Sequence, residues 1–243
     1  MRRGKSEKES TNYTNYHELK TKNYELKTTN YELFIYRVCI DRADVVWFNL
    51  DLEESVGALP KEERYFTYAD YREWELKPGE RFELINGEAF AMAGPNERHQ
   101  AILGELFSRF HFFLRGKPCK VYPAPFDVRL FYKKDKSDDT VVQPDIVIIC
   151  DEKKRGYESC LGAPDMVVEI LSPSNTAIEM ERKFKLYLKA GVKEYWVVDP
   201  ENKGLTVYQF QKKIASIKTY GSSDAVSVGV LSGLDIALEE VFA

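Results

Sequence analysis

At 243 residues and 28.1 kDa, with 44 % hydrophobic residues, the chain can bury one sizeable core and carry an extension besides. A net charge of −4 (pI about 5.6) excludes a uniformly basic nucleic-acid binder and leaves segregated basic patches as the route to a polyanion. No apolar run approaches the roughly 18 residues of a bilayer span. The four cysteines have neither C-x-x-C nor zinc spacing, and the polar N-terminus has no secretory pattern, so no membrane association and a reducing cytoplasm are the expectations.

Residues 1–60 differ from the rest. Asn15-Tyr16-His17-Glu18-Leu19-Lys20, Asn23-Tyr24-Glu25-Leu26-Lys27 and Asn30-Tyr31-Glu32-Leu33 repeat one short phrase. The period is too short for a solenoid, and the apolar a and d positions of a coiled coil are missing. This segment reads as a low-complexity, weakly ordered extension. Residues 34–50 are more apolar and read as either a peripheral strand or a mobile connection. Residues 61–243 form the domain proper.

Thr67 is the expected N-cap of a helix over 69–76, stopped by Pro78-Gly79. Residues 82–85 and 88–92 form a hairpin about Asn86-Gly87, the pair that supplies the positive φ of a type I′ turn. A helix over 95–115 carries an apolar stripe of Ile102, Leu106, Phe110 and Phe113, and ends at Gly116 and Pro118. Residues 121–132 read as a strand kinked by Pro123 and Pro125. Strands at 143–150 and 164–171 flank a turn-rich loop, and Cys150 is expected to be a small core residue. A helix over 175–190 stops at Gly191. A strand at 194–199, a hairpin of 205–210 with 214–220, and a helical turn at 238–242 complete the chain. Strands interleaved with two substantial helices give an α/β fold, a mixed sheet flanked by helices.

Two carboxylates stand inside apolar strands. Asp145 lies in Gln143-Pro144-Asp145-Ile146-Val147-Ile148-Ile149-Cys150, and Glu169 in Pro164-Asp165-Met166-Val167-Val168-Glu169-Ile170-Leu171. A buried carboxylate is costly without compensation, and two of them invite a shared hard cation such as Mg²⁺. Lys183, on the next helix, would complete a site for cutting phosphodiesters. Plain structure offers alternatives: Asp145 capping a turn after Pro144, Lys183 on a solvated helix face. Glu83 could add a carboxylate to the metal or hold its water. His99 could contact phosphate or metal, or serve as a satisfied structural histidine. Tyr187, one turn beyond Lys183, reads as part of the packed face. Ser172 lacks the G-x-S-x-G context of a serine hydrolase.

The ordered set Pro144-Asp145, Glu169-Ile170-Leu171-Ser172-Pro173-Ser174, Lys183 and Gly191-Val192-Lys193-Glu194-Tyr195-Trp196-Val197-Val198-Asp199-Pro200, with Phe82-Glu83-Leu84-Ile85-Asn86-Gly87-Glu88 and His99 upstream, resembles the Uma-two family of endonucleases within the PD-(D/E)XK, or restriction-endonuclease-like, nucleases. The resemblance runs from about Tyr65 to the C-terminus. It implies a restriction-endonuclease-like fold and metal-dependent hydrolysis of DNA. Asp145 and Glu169 would hold Mg²⁺, or Mn²⁺ in its place, and Lys183 would assist. The superfamily pattern Glu-x-Lys would put lysine at 171, where this chain has Leu171; here the pattern resembles relatives whose lysine comes from the following helix. An inactive nucleic-acid-binding or protein-interaction module on the same fold is the alternative, a hydrolase of RNA or nucleotides a third reading, and a homodimer is open.

Overall fold

The computed structural model describes residues 46–49, 65–211 and 214–243, so the repeats at 15–33 and most of the expected low-complexity extension lie outside the described residues. Within 34–50 the strand alternative is the one observed, as β1 (Val46–Asn49). Helix α1 (Tyr68–Arg72) starts where expected. The Asp70 carboxylate accepts the Thr67 amide at 2.7 Å, and Thr67 Oγ1 accepts the Asp70 amide. It ends sooner than expected, as Trp74 turns into an aromatic cluster with Phe66, Tyr71 and Phe82. The hairpin β2 (Phe82–Ile85) and β3 (Glu88–Ala91) closes through Asn86 at φ 50° and Gly87 at φ 82°.

Helix α2 (Glu97–Phe113) begins at Asn96, whose side chain accepts the His99 amide at 2.9 Å. The strand expected at 121–132 is two strands, β4 (Lys120–Pro123) and β5 (Asp127–Arg129). The chain breaks at the cis Ala124-Pro125 bond, and the two pieces join different sheets. Then come β6 (Val141–Val142), β7 (Ile146–Ile149), a 3₁₀ turn at Glu152–Lys154, β8 (Ser159–Leu161) and β9 (Met166–Ile170). Helix α3 (Ala177–Ala190) is capped by Thr176 and by Gly191, which takes the left-handed conformation at φ 87°. The chain finishes with β10 (Glu194–Asp199), β11 (Gly204–Gln211), β12 (Ile214–Gly221), β13 (Ala225–Ser227), β14 (Asp235–Ala237) and α4 (Leu238–Val241).

Seven strands form one sheet in the order β1-β12-β11-β10-β9-β7-β4, all antiparallel except β9 with β10. A five-stranded sheet, β3-β2-β6-β5-β8, stands beside it. Alternation divides the core. Ile146, Ile148, Met166, Val168 and Trp196 pack with Ile102, Leu106 and Phe110 of α2. Val147, Ile149, Val167 and Tyr195 pack with Leu186 and Tyr187 of α3. The large sheet is therefore sandwiched between two helices, the mixed α/β arrangement expected from the sequence.

Cys150 packs against the core as expected, and it is also disulfide-bonded to Cys119, 31 positions away, just past the Lys120–Ile149 end of the β4–β7 ladder. Cys160 is free and buried, and burial pushes its thiol up to about 12. No helix among the described residues is long and apolar enough to cross a membrane.

Candidate active site

Strands β7 and β9 pair antiparallel, with Ile146 opposite Val168. Carrying that register one residue further sets Asp145 opposite Glu169. The Asp145 side chain closes the ladder: its Oδ2 accepts the Ile170 amide at 2.7 Å. His99 Nε2, from α2, lies 3.2 Å from the same oxygen.

Glu169 points toward α3. Its Oε1 accepts the Lys183 ammonium at 2.9 Å and the Tyr187 hydroxyl at 2.6 Å. Lys183 and Tyr187 are one helical turn apart, so a single face of α3 grips one carboxylate oxygen. The β2–β3 hairpin brings Glu83, whose Oε1 lies 3.3 Å from Lys183 Nζ and accepts the Gln143 amide at 3.0 Å. Gln143 is itself fixed, donating from Nε2 to Asp127 at 2.9 Å and to the Tyr71 hydroxyl at 3.1 Å. Glu83, Glu169, Lys183 and His99 are all buried, while the Asp145 side chain is 17 % exposed at the mouth. Glu83, His99, Gln143, Asp145, Glu169 and Lys183 line one cleft of about 630 Å³.

The cleft holds more negative charge than its one buried lysine neutralises. Burial pushes Glu169 up to about 7; Lys183 pulls it back, and Glu83 and Asp145 push it further. Burial works against the Lys183 ammonium, yet Glu169 and Glu83 outweigh it and hold its pKa above the ordinary lysine range. Burial, then the neighbouring Glu169, raises the Tyr187 phenol well above its ordinary value, so it stays a donor.

The donor chemistry suits a hard cation. Among the described residues Asp145 Oδ1 and Glu169 Oε2 make no hydrogen bond, which leaves two carboxylate oxygens for a ligand. No group of three His, Cys, Asp or Glu side chains among the described residues encloses an ion as it stands; Lys183 Nζ lies 3.3 Å from Glu83 and 2.9 Å from Glu169. His99 Nδ1 and Gln143 Oε1 are buried without a partner.

All five residues singled out from the sequence therefore meet at this cleft. Lys183 is not on a solvated helix face but 5 % exposed and doubly ion-paired. Tyr187 is more than a packing residue, since its hydroxyl holds Glu169; its spacing from Lys183 was the available signal. The roles of Tyr71 and Asp127 left no sequence signal, because the bonds that Gln143 makes to them span 16 to 72 positions.

The family model described as "Putative restriction endonuclease", Uma2, matches residues 68–239. Two uncharacterized proteins of Synechocystis sp. are similar. The protein slr1290 is 29 % identical over 118 residues, which are 49 % of this chain and 60 % of the relative. The protein sll1609 is 24 % identical over 139 residues, 56 % of this chain and 76 % of the relative. The match thus spans under two thirds of the length of slr1290. The crystal structure of a putative nuclease belonging to DUF820 from Anabaena variabilis superposes with a TM-score of 0.59 at 20 % identity, covering 73 % of this chain and 97 % of that one. The fold is thus restriction-endonuclease-like, and the chain belongs to the Uma2 family of putative restriction endonucleases.

Proposed function

We propose that this protein is a metal-dependent endonuclease that hydrolyses phosphodiester bonds of DNA. The observation that carries the reading is the meeting of Glu83, Asp145, Glu169 and Lys183 in one cleft with unneutralised negative charge. Asp145 and Glu169 would hold the cation, Mg²⁺ with Mn²⁺ as substitute, through hard carboxylate oxygens. A divalent cation there supplies Lewis-acid charge to a phosphate and lowers the pKa of a bound water.

The chain's own groups do the rest. Lys183 stays charged, and its ammonium can orient a water or stabilise charge developing on a phosphate oxygen. Tyr187 pins one oxygen of Glu169 and leaves the other unengaged. His99 and the Ile170 amide fix one oxygen of Asp145. Glu83, held by the Gln143 amide, keeps Lys183 in place between the two glutamates.

A second reading, a nucleic-acid-binding or protein-interaction module without catalysis, draws on one feature: Lys183 already has two carboxylate partners. Plasmid cleavage separates them. Wild type should nick supercoiled DNA with Mg²⁺ or Mn²⁺, and not with EDTA; Glu169→Ala should be inactive with every metal. Intact plasmid after incubation of folded wild type with Mg²⁺, Mn²⁺ or Ca²⁺ would favour the module.

A further inference from the structure

The cleft that holds the carboxylates also holds cations that the chemistry above leaves unused. Its walls carry Glu83, Asp145, Glu169 and Glu179 against Lys183, Arg182 and Arg81. Lys183 sits between two glutamates at the reacting end of the cleft, so Arg81 and Arg182 are the cleft cations without a carboxylate partner among the described residues. Neither makes an ion pair among the described residues, although their neighbours do: Lys185 pairs with Glu181, and Lys183 with Glu83 and Glu169.

Arg182 is also held in place. Its guanidinium carbon lies 4.2 Å from the centroid of the Phe90 ring. Phe90 stands directly opposite Glu83 across the β2–β3 hairpin, so the two side chains share one face. Consecutive residues of α3 thus meet consecutive sites on that face: Lys183 takes Glu83 at the cleft floor, and Arg182 takes Phe90. A guanidinium stacked on an aromatic ring keeps its planar fork of N–H donors at its edge, and that fork matches the oxygens of a phosphate. The contact with the ring satisfies none of those donors, and no carboxylate meets them among the described residues.

We infer that the Arg182–Phe90 pair is a phosphate grip: it binds a backbone phosphodiester of a nucleic acid entering the cleft, beside the carboxylate site. The inference rests on the nuclease reading for the nature of the anion, but its test needs no cleavage. It also answers the objection raised by the net charge of −4. Binding relies on a few placed cations in an acidic cleft rather than on a basic surface.

The test is binding of fluorescent oligonucleotides to the full chain in EDTA across a salt series, with duplex DNA and single-stranded RNA as separate arms. Arg182→Ala should weaken binding about 5- to 10-fold and flatten the log–log salt dependence by about 0.9 for duplex DNA, the increment of one phosphate contact. Arg182→Lys should keep the salt slope and recover only part of the affinity, since a lysine cannot fork or stack alike. Phe90→Leu should weaken binding at an unchanged slope, because the charge stays and its orientation goes. An effect on one nucleic acid alone identifies which is gripped. Arg182→Ala matching wild type in affinity and slope would overturn the inference, as would wild type that binds neither probe at low salt. Wild type that binds through Arg182 but never cuts would overturn the hydrolytic reading and leave the grip standing.

Discussion

Arg129 and Asp138 form one buried ion pair, on the side of the five-stranded sheet; Lys183 with Glu83 and Glu169 forms another, beneath the cleft. In the first, one guanidinium meets one carboxylate through two bonds, Nε to Oδ2 at 2.9 Å and Nη2 to Oδ1. Arg129 also donates to the Lys133 carbonyl at 2.8 Å and lies between the rings of Tyr68 and Tyr132. Its charges cancel, and neither residue lines the cleft of the second group. In the second, one ammonium serves two glutamates with Asp145 nearby, and a cleft opens onto the group. A neutral, closed pair is what structure alone requires; an excess of one sign at a cleft asks for a ligand.

The comparison can be broken at either end. The largest effect should come from Asp138→Ala, which strands a buried guanidinium and should cost about 3–5 kcal/mol. Urea unfolding would register it, and a loss under 1 kcal/mol would mean that Arg129 finds water instead. Next is Lys183→Met, which keeps the stem and deletes the charge. Cleavage should fall by about 10²–10³-fold, the usual result of removing one charge-stabilising donor. The variant should still fold at pH 6, where Glu169 can take up a proton. Adding Leu171→Lys should restore a part, because residue 171 shares the sheet face of Glu169. Nicking rates within a few-fold of wild type for Lys183→Met would remove Lys183 from the chemistry.

The smallest effect sharpens the contrast through pH. Glu169 sits at about 7 in the folded protein against an ordinary 4.5, so protonation and folding favour each other. The stabilisation is complete below 4.5 and disappears as pH rises through 7. Glu169→Gln is always neutral and should lack that dependence. In EDTA, wild type should therefore lose on the order of 3 kcal/mol relative to the variant between pH 4.5 and 8. A pH-independent difference would show that the charge at the cleft is balanced after all.

Much of this was legible in the sequence, and the failures share a cause. Asn86-Gly87, Thr67 and Gly191 announce themselves because the backbone conformations they permit are local. The long helices and β7, β9 and β10 follow from periodicity and apolar runs. What stayed hidden depends on partners far along the chain. β6 and β8, of two and three residues, are strands only because β2 and β5 pair with them. Cys119 and Cys150 meet only because β4 lies beside β7. The candidate site was legible as residue types: a carboxylate in an apolar strand has few structural excuses. Its order was not, since only the folded register sets Asp145 opposite Glu169 and drops Lys183 between two glutamates.

The bond from the Ile170 amide to Asp145 makes the aspartate a peg as well as an acid. It fastens Asp145 to the peptide immediately after Glu169, so the spacing between the two acids is gauged by a single step of backbone. The packing of α2 or α3 can drift without changing that gauge. The peg asks only for an acceptor oxygen, which an amide supplies as well as a carboxylate does. Position and charge are therefore separable at residue 145: a lineage could surrender the charge and keep the architecture, leaving a protein of unchanged shape with one carboxylate fewer in the cleft.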